Sequence, residues 1–222
     1  MMLSRLFLNA HSRDVQRALG DSHALHARVM SMFPAVDVSS PRAALGVLHR
    51  LERSDHGDAL VLLVQSSERP EVSKLPSGFL DPGAGGDAAS SRDLAPVLAS
   101  IQPGARFRFR LRANATRRID TKSGPDGKRR NGKRVPVRGD EGRLQWVTSR
   151  LLANGFRLLG SDQPRPEGKS LAHADGKVRT HVAHVFDGVV EVVDGDLAKR
   201  ALSCGIGPAK AYGFGLLSLA RE

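Results

Sequence analysis

His23 and His26 stand three residues apart in the run Ser22-His23-Ala24-Leu25-His26. On a helix that spacing makes two side chains neighbours on one side. An imidazole titrates near pH ~6.5, so it can accept or give up a proton in neutral water. The chemistry open to such a pair is cleavage of RNA without a metal. A base takes the proton of a 2′-hydroxyl, that oxygen attacks the adjacent phosphorus, and an acid protonates the leaving 5′-oxygen. The reaction also needs a cation or backbone N–H groups to hold the charge on the five-coordinate phosphorus. Lys210, Arg28 and the turn Gly205-Ile206-Gly207-Pro208-Ala209-Lys210 offer both, because a glycine-rich turn can aim successive N–H groups at an anion. Each feature alone has a plainer reading. Two half-exposed helical histidines need no role, and Gly205 to Lys210 is equally an ordinary turn into the apolar strand Phe214 to Leu219.

The charge distribution favours an anionic ligand. The formal net charge is +11 over 222 residues. Between residues 106 and 138 lie thirteen Lys and Arg but only Asp120 and Asp126 as acids, so this one stretch carries the whole excess. A localised excess of that size argues for a polyanionic partner better than diffuse basicity would. Hydrophobic residues make up 40% of the chain, and mean hydropathy is −0.28. Both values fit a globular fold with a sizeable core. No apolar run approaches a membrane span, and Met1 to Leu8 is too short and too broken by Arg5 to be a signal peptide. Cytoplasmic residence without membrane contact is therefore expected. Cys204 is the single cysteine; it agrees with a reducing compartment and is expected to be a small buried residue near a helix end.

The elements that must position these groups follow from pattern. Leu3 to Leu8 reads as a strand, and Asn9 to Gly20 as irregular or a short helix. Asp21 or Ser22 caps a helix to Phe33, with Leu25, Val29, Met32 and Phe33 on one face, and Pro34 stops it. Ala44–Leu51 and Ala59–Gln65 read as strands joined by a turn over residues 54–58, 70–91 as loop, and 91–101 as a short helix. A second unit starts after Gln102-Pro103-Gly104. Its first strand alternates cleanly: Arg106, Arg108, Arg110 and Arg112 on one face, Phe107, Phe109 and Leu111 on the other. A basic loop over 117–139 follows, then a helix over 142–155 and a strand over 156–160. Val178–Val185 and Val189–Val193 read as a hairpin around Asp187-Gly188, followed by a helix to Gly205 and the closing strand. The order strand, helix, strand, strand, helix, strand is the ferredoxin-like pattern, and the first unit begins in the same way.

Several motifs fall away. Gly127 to Arg134 matches a P-loop except that Arg134 stands where Ser or Thr must bind magnesium, and no strand precedes it. His173, His181 and His184 lack supporting ligands, so no metal and no cofactor is expected. No helix-turn-helix or zinc-finger signature is visible, which favours RNA over DNA. With aromatics at 5%, recognition by shape and phosphate is expected rather than base stacking on a sheet.

Three stretches together carry a resemblance to a known family. They are Met2-Leu3-Ser4-Arg5-Leu6 followed by Leu25-His26 and Met32-Phe33-Pro34; Arg110-Leu111-Arg112-Ala113-Asn114-Ala115-Thr116 followed by Gly132-Lys133-Arg134-Val135-Pro136; and the Gly205 to Leu219 run. In this order, and over essentially the whole chain, the sequence resembles the CasE-type endoribonucleases of type I-E CRISPR systems, which process CRISPR precursor RNA within the Cascade complex. The resemblance implies an α+β fold of two tandem ferredoxin-like (RRM-like) domains, 1–101 and 102–222. It implies metal-independent cleavage at the 3′ base of a repeat stem-loop, leaving a 5′-hydroxyl and a 2′,3′-cyclic phosphate. It implies a product that stays bound, partners among the other Cascade subunits such as the backbone subunit, and a monomer when alone. The family's catalytic histidine falls on His26. Some relatives have a Tyr three residues earlier where this chain has His23, which either substitutes or positions RNA; Ala115 stands where relatives often have Pro. Residues expected to hold RNA are Arg28, the row Arg106, Arg108, Arg110 and Arg112, then Arg117, Arg118, Lys128, Arg129, Arg130, Lys133, Arg134 and Arg138, and Gly205, Gly207 and Lys210. The alternative is a non-catalytic subunit that only holds the processed guide hairpin. The two diverge on whether His23 and His26 face the glycine turn.

Overall fold

The computed structural model describes residues 1–53, 59–83, 88–120 and 132–222. The chain opens on β1 (Met2–Leu8), α1 (Arg13–Gly20), α2 (Ser22–Ser31) and a short α3 (Pro41–Ala44). It continues through β2 (Leu48–Arg53), β3 (Leu60–Ser66), a 3₁₀ turn at Val72–Lys74, β4 (Ala89–Asp93) and α4 (Ala95–Ser100). The four strands pair antiparallel in the order β2-β3-β1-β4. Alternation along β1 turns Ser4, Leu6 and Leu8 inward and leaves Arg5 exposed. Val15 and Ala18 of α1, Leu25 and Val29 of α2, and Met32 and Phe33 beyond it form one core with Leu6, Leu8, Leu62 and Val64.

The second half runs β5 (Arg106–Ala113), β6 (Thr116–Asp120), β7 (Gly132–Pro136), α5 (Asp140–Leu152), β8 (Phe156–Ser161), β9 (Arg165–Ala174), β10 (Lys177–Val192), α6 (Gly195–Cys204) and β11 (Leu217–Arg221). Its sheet order is β11-β5-β10-β8, with β9 paired to the first half of β10 and β6-β7 forming a separate hairpin. Phe107, Phe109 and Leu111 are buried, as their alternation requires. Each contributes about 1.5–3 kcal/mol of transfer free energy to a core shared with Val147 and Leu151 of α5 and Ala198 and Leu202 of α6.

The two sheets are joined through buried polar groups. The Arg50 guanidinium on β2 donates from Nε to Glu52 Oε1 (2.8 Å), from Nη1 to the Leu216 carbonyl (3.0 Å) and from Nη2 to Ser218 Oγ (2.8 Å). Gln65 Nε2 donates to the Leu202 carbonyl at 2.7 Å. A buried cation persists only with such a set of acceptors around it. Arg50 therefore fixes β2 against β5 and β11.

Several elements differ from the sequence reading. Val178–Val185 and Val189–Val193 are not a hairpin around Asp187-Gly188. Val178–Val185 and Val189–Val192 belong to the single strand β10 of 16 residues, which ends before Val193. Gly188 is there because β10 crosses β8 too closely for a side chain: a Cβ would collide with the Gly160 carbonyl, at a shift of register between Val189 and Val190. The actual hairpin turn is Asp175-Gly176, both with positive φ, between β9 and β10. The loop read over 70–91 ends in a paired strand, β4, and the basic loop over 117–139 contains β6 and β7. Ala44 is helical and the strand after it starts at Leu48; the closing strand starts at Leu217 rather than Phe214. The turn over 54–58 lies outside the described residues. Cys204 is exposed at the end of α6, not buried. Among the described residues no helix is long and apolar enough to cross a membrane.

Candidate active site

α2 is held at its start by the second half of the chain. Asp21 is its N-cap, accepting from the His23 backbone N–H at 2.9 Å. The same oxygen accepts from the His173 N–H of β9 at 3.1 Å, and Ser22 Oγ donates to the Leu171 carbonyl at 2.7 Å. Burial works to raise the Asp21 pKa, but the N–H groups of His173 and His23 outweigh it and hold the carboxyl below its usual range. Leu25 and Val29 anchor the inner face of α2 in the core. His23 is then exposed and His26 half-buried, one turn further on.

His26 faces the seam between the sheets. Its ring stacks on that of His49 of β2, with centroids 6.0 Å apart and planes 16° from parallel. His49 is fully buried. The His26 Nδ1 and both ring nitrogens of His49 are buried without a hydrogen-bond partner. Burial, then the charges of Arg42 and His23, pushes the His26 pKa down to about 4. Burial, then His26, Arg112 and Arg42, pushes His49 down to about 3. Both imidazoles are therefore neutral near pH 7, and His26 can accept a proton there.

The glycine run closes over this pair. Gly205 ends α6 with φ 74° and ψ 162°. The Ile206 N–H donates to Gly215 O at 2.9 Å, and the Gly215 N–H to Arg112 O at 2.9 Å. The 3₁₀ turn Lys210–Tyr212 packs against α2 and β2. Gly213 lies over His49: a Cβ there would sit 3.5 Å from His49 Nε2 and 3.5 Å from Arg112 Nη1. Lys210 is half-buried; burial, then the charge of Arg42, lowers its pKa against an opposing pull from Cys204. Among the described residues neither Arg42 nor Lys210 has a carboxylate partner within ion-pair distance. Two half-buried cations, the charge of Arg42 lowering the pKa of Lys210, lie near a neutral imidazole and form an electropositive site suited to a phosphate.

The other expected residues sort themselves differently. Arg28 is turned away from His26 and pairs with Asp14 of α1 at 3.5 Å. The arginines of β5 do share one face, but most meet acids. Arg106 lies 3.8 Å from Glu191, Arg110 pairs with Asp187 at 2.7 Å, and Arg112 with Glu167 at 2.6 Å. The Arg112 guanidinium also donates to Gly213 O (3.0 Å) and lies 4.4 Å from the Phe214 ring centroid, so it fastens the glycine run to β5. Arg108 is exposed. Arg117 and Arg118 of β6, Lys133 and Arg134 of β7, and Arg138 are exposed together, with Arg118 directly opposite Arg134. Of these, Arg117, Arg118, Arg134 and Arg138 line a trough with Trp146 and Arg150 of α5 and with Gly207-Pro208. Lys128, Arg129 and Arg130 lie outside the described residues. Three contributors were not singled out from the sequence: Arg42, His49 and Arg150. Arg150 had a signal, since it follows Trp146 by four residues on α5 and lies 5.6 Å from that ring. Arg42 and His49 had none, because only the fold brings α3 and β2 to α2.

His173, His181 and His184 occupy different surroundings. His173 faces Asp21, His181 stacks on Tyr212 with centroids 4.9 Å apart, and His184 lies beside Phe186. Among the described residues no three His, Cys, Asp or Glu side chains converge as metal ligands would.

A family model described as CRISPR associated protein matches residues 1–221. The chain is 32% identical over 231 aligned positions to the CRISPR-associated endoribonuclease Cse3 of Thermus thermophilus, covering 99% of this chain and 100% of that protein. It is 29% identical to the CRISPR system Cascade subunit CasE of Escherichia coli K12, covering 99% of each. Among solved structures, Cse3 bound to a 19 nt RNA superposes with a TM-score of 0.76 at 30% identity, covering 99% of this chain and 100% of that one.

Proposed function

The chain belongs to the CRISPR associated protein family, and from that membership we propose that it is an endoribonuclease that processes CRISPR precursor RNA. In this reading it cuts at the 3′ base of the repeat stem-loop without a metal, leaving a 5′-hydroxyl and a 2′,3′-cyclic phosphate. It then stays on the mature guide beside the backbone subunit of Cascade. Support comes from the relatives, one named an endoribonuclease and one a Cascade subunit. The observation that carries the reading is the convergence of His26 with Lys210, Arg42 and the glycine run at the seam.

Neutral His26 takes the 2′-hydroxyl proton as that oxygen attacks phosphorus. Lys210 and Arg42 hold the charge that gathers on the phosphoryl oxygens. We assign the leaving-group proton to His23, the exposed imidazole one turn earlier. The RNA stem lies along the trough of Arg117, Arg118, Arg134, Arg138 and Arg150, with exposed Lys133 on the same hairpin, where contacts to phosphate set position rather than sequence. Both sheets, β2-β3-β1-β4 and β11-β5-β10-β8, have the strand order of a split βαβ unit. We read them as tandem ferredoxin-like domains over 1–101 and 102–222; among the described residues the second crossover of the first carries the 3₁₀ turn Val72–Lys74 where a helix is expected.

The deciding experiment is single-turnover cleavage of the repeat hairpin in EDTA by the wild type and by His26→Ala. The wild type is expected to cut and His26→Ala to bind without cutting. Loss of wild-type cleavage under chelation refutes the metal-free mechanism, and normal cleavage by His26→Ala removes His26 from it.

A further inference from the structure

A fully buried histidine with neither ring nitrogen hydrogen-bonded needs a reason, since each unpaired buried polar atom costs free energy. His49 is such a residue, and its ring lies 6.0 Å from that of His26 and nearly parallel to it. A base that is to accept a proton usually has a third group to orient it and to stabilise the cation it becomes. Among the described residues no carboxylate serves His26, whose Nδ1 is unpaired. What His26 does have is the face of His49. A cation within about 6 Å of a desolvated ring face is attracted by the ring's quadrupole.

We propose that His49 is a positioning residue that fixes the His26 ring and stabilises the imidazolium formed when His26 takes the 2′-hydroxyl proton. This rests on the reading of His26 as the base. The pair holds one proton at a time. The groups whose charge acts on the pair are His23 on α2, Arg42 on α3 and Arg112 on β5. The charges of these groups lower the pKa of one ring or the other, so none helps a second proton to enter. The proton goes to His26, the less buried ring, and its arrival disfavours protonation of His49 further. His49 thus stays neutral, with its face available, throughout the reaction. The small imidazole also fits beneath Gly213, whose backbone lies against its Nε2 edge.

The test uses the full chain and the repeat hairpin with two variants. His49→Leu fills the volume but removes the ring face; His49→Phe keeps a ring face. In His49→Leu, single-turnover cleavage is expected to fall about 2- to 30-fold, the range for a desolvated cation–π contact, with the Kd for RNA unchanged. The His26 pKa, read by isotope-labelled histidine NMR and by the acid limb of the pH–rate profile, is expected to fall below its wild-type value. His49→Phe is expected to cleave faster than His49→Leu. A merely structural role predicts the opposite pKa shift, because a loosened site admits water and lets His26 rise toward its ordinary value. Wild-type cleavage by His49→Leu, equal impairment of both variants, or a rise in the His26 pKa each overturns the proposal. His26→Ala measured alongside separates the two claims: if it is inactive while His49→Leu is normal, only the role of His49 fails.

Discussion

Gly205→Ala should damage both the fold and the chemistry, and its size follows from the structure. Gly205 has φ 74° and ψ 162°, a region open essentially to glycine alone. Placing another residue there costs about 1–3 kcal/mol. A Cβ would also lie 2.7 Å from Gly215 O and 2.9 Å from both methyls of Leu48. The methyls can turn aside, but Gly215 O is held by the Ile206 N–H, so overpacking adds about 1–3 kcal/mol. Together the loss is about 2–6 kcal/mol. For a chain of this size each kcal/mol lowers Tm by about 2–4 °C, giving a fall of about 4–24 °C. The displaced carbonyl and Leu48 adjoin Lys210 and His49, so cleavage should fall even well below the new Tm, while the exposed arginines of β6, β7 and α5 still bind RNA. Gly78→Ala is the control. It has φ 72° but nothing within 4 Å of its Cβ position, so only a backbone cost of about 1–2 kcal/mol applies. Thermal unfolding by circular dichroism and single-turnover cleavage measure both. Equal Tm losses in the two variants, or normal cleavage by Gly205→Ala, would refute the packing argument.

Three further outcomes are expected. The folded pKa values of His26 and His49, about 4 and about 3, lie below the unfolded value of about 6.5, so the unfolded chain binds more protons. Stability is then fully present above pH ~6.5 and lost as pH falls from there toward ~3, so the urea midpoint should drop between neutral and mildly acid buffer; a flat profile contradicts the burial of these rings. Replacing Arg118 and Arg134 together by Ala should weaken binding to unrelated hairpins alike and reduce the salt slope by about two, whereas a change confined to sequence preference rules out phosphate as their target. Asp21→Ala removes the cap of α2 and its hold on His173, with an expected loss of about 1–2 kcal/mol and slower cleavage at unchanged RNA affinity; an unaltered Tm argues against the cap.

Local pattern revealed those parts of the molecule whose cause is local. The alternation of β5, the buried face of α2 and the Asp21 cap are legible because each depends on residues a few positions apart. β4 is not, because Ala89–Asp93 is a polar edge strand whose partner, β1, is far away in sequence. β10 was misread because Gly188 is indistinguishable from a turn glycine until β8 is known to pass beside it. The basic stretch showed the same limit: its charge pointed to an anion, but the acids that claim Arg106, Arg110 and Arg112 sit on β9 and β10. His26 could be named through family likeness, whereas its neighbour across the seam was invisible to periodicity.

The candidate site is assembled from opposite ends of the polypeptide, and this has a consequence for biosynthesis. All strands of the first sheet lie within Met2–Asp93, so that half can begin to fold before the acceptors of Arg50 and Gln65 leave the ribosome. His26, Arg42 and His49 are then in place, but nothing covers them. Lys210, Gly213 and the Arg112 carbonyl that anchors their turn arrive much later. A ribosome-bound nascent chain or one cut short by a premature stop would present the histidines and Arg42 without Lys210, the second of the two phosphate-holding cations. Under the proposed function, competence to cut RNA becomes a property of nearly finished translation products, and aborted ones are inert toward the transcripts around them.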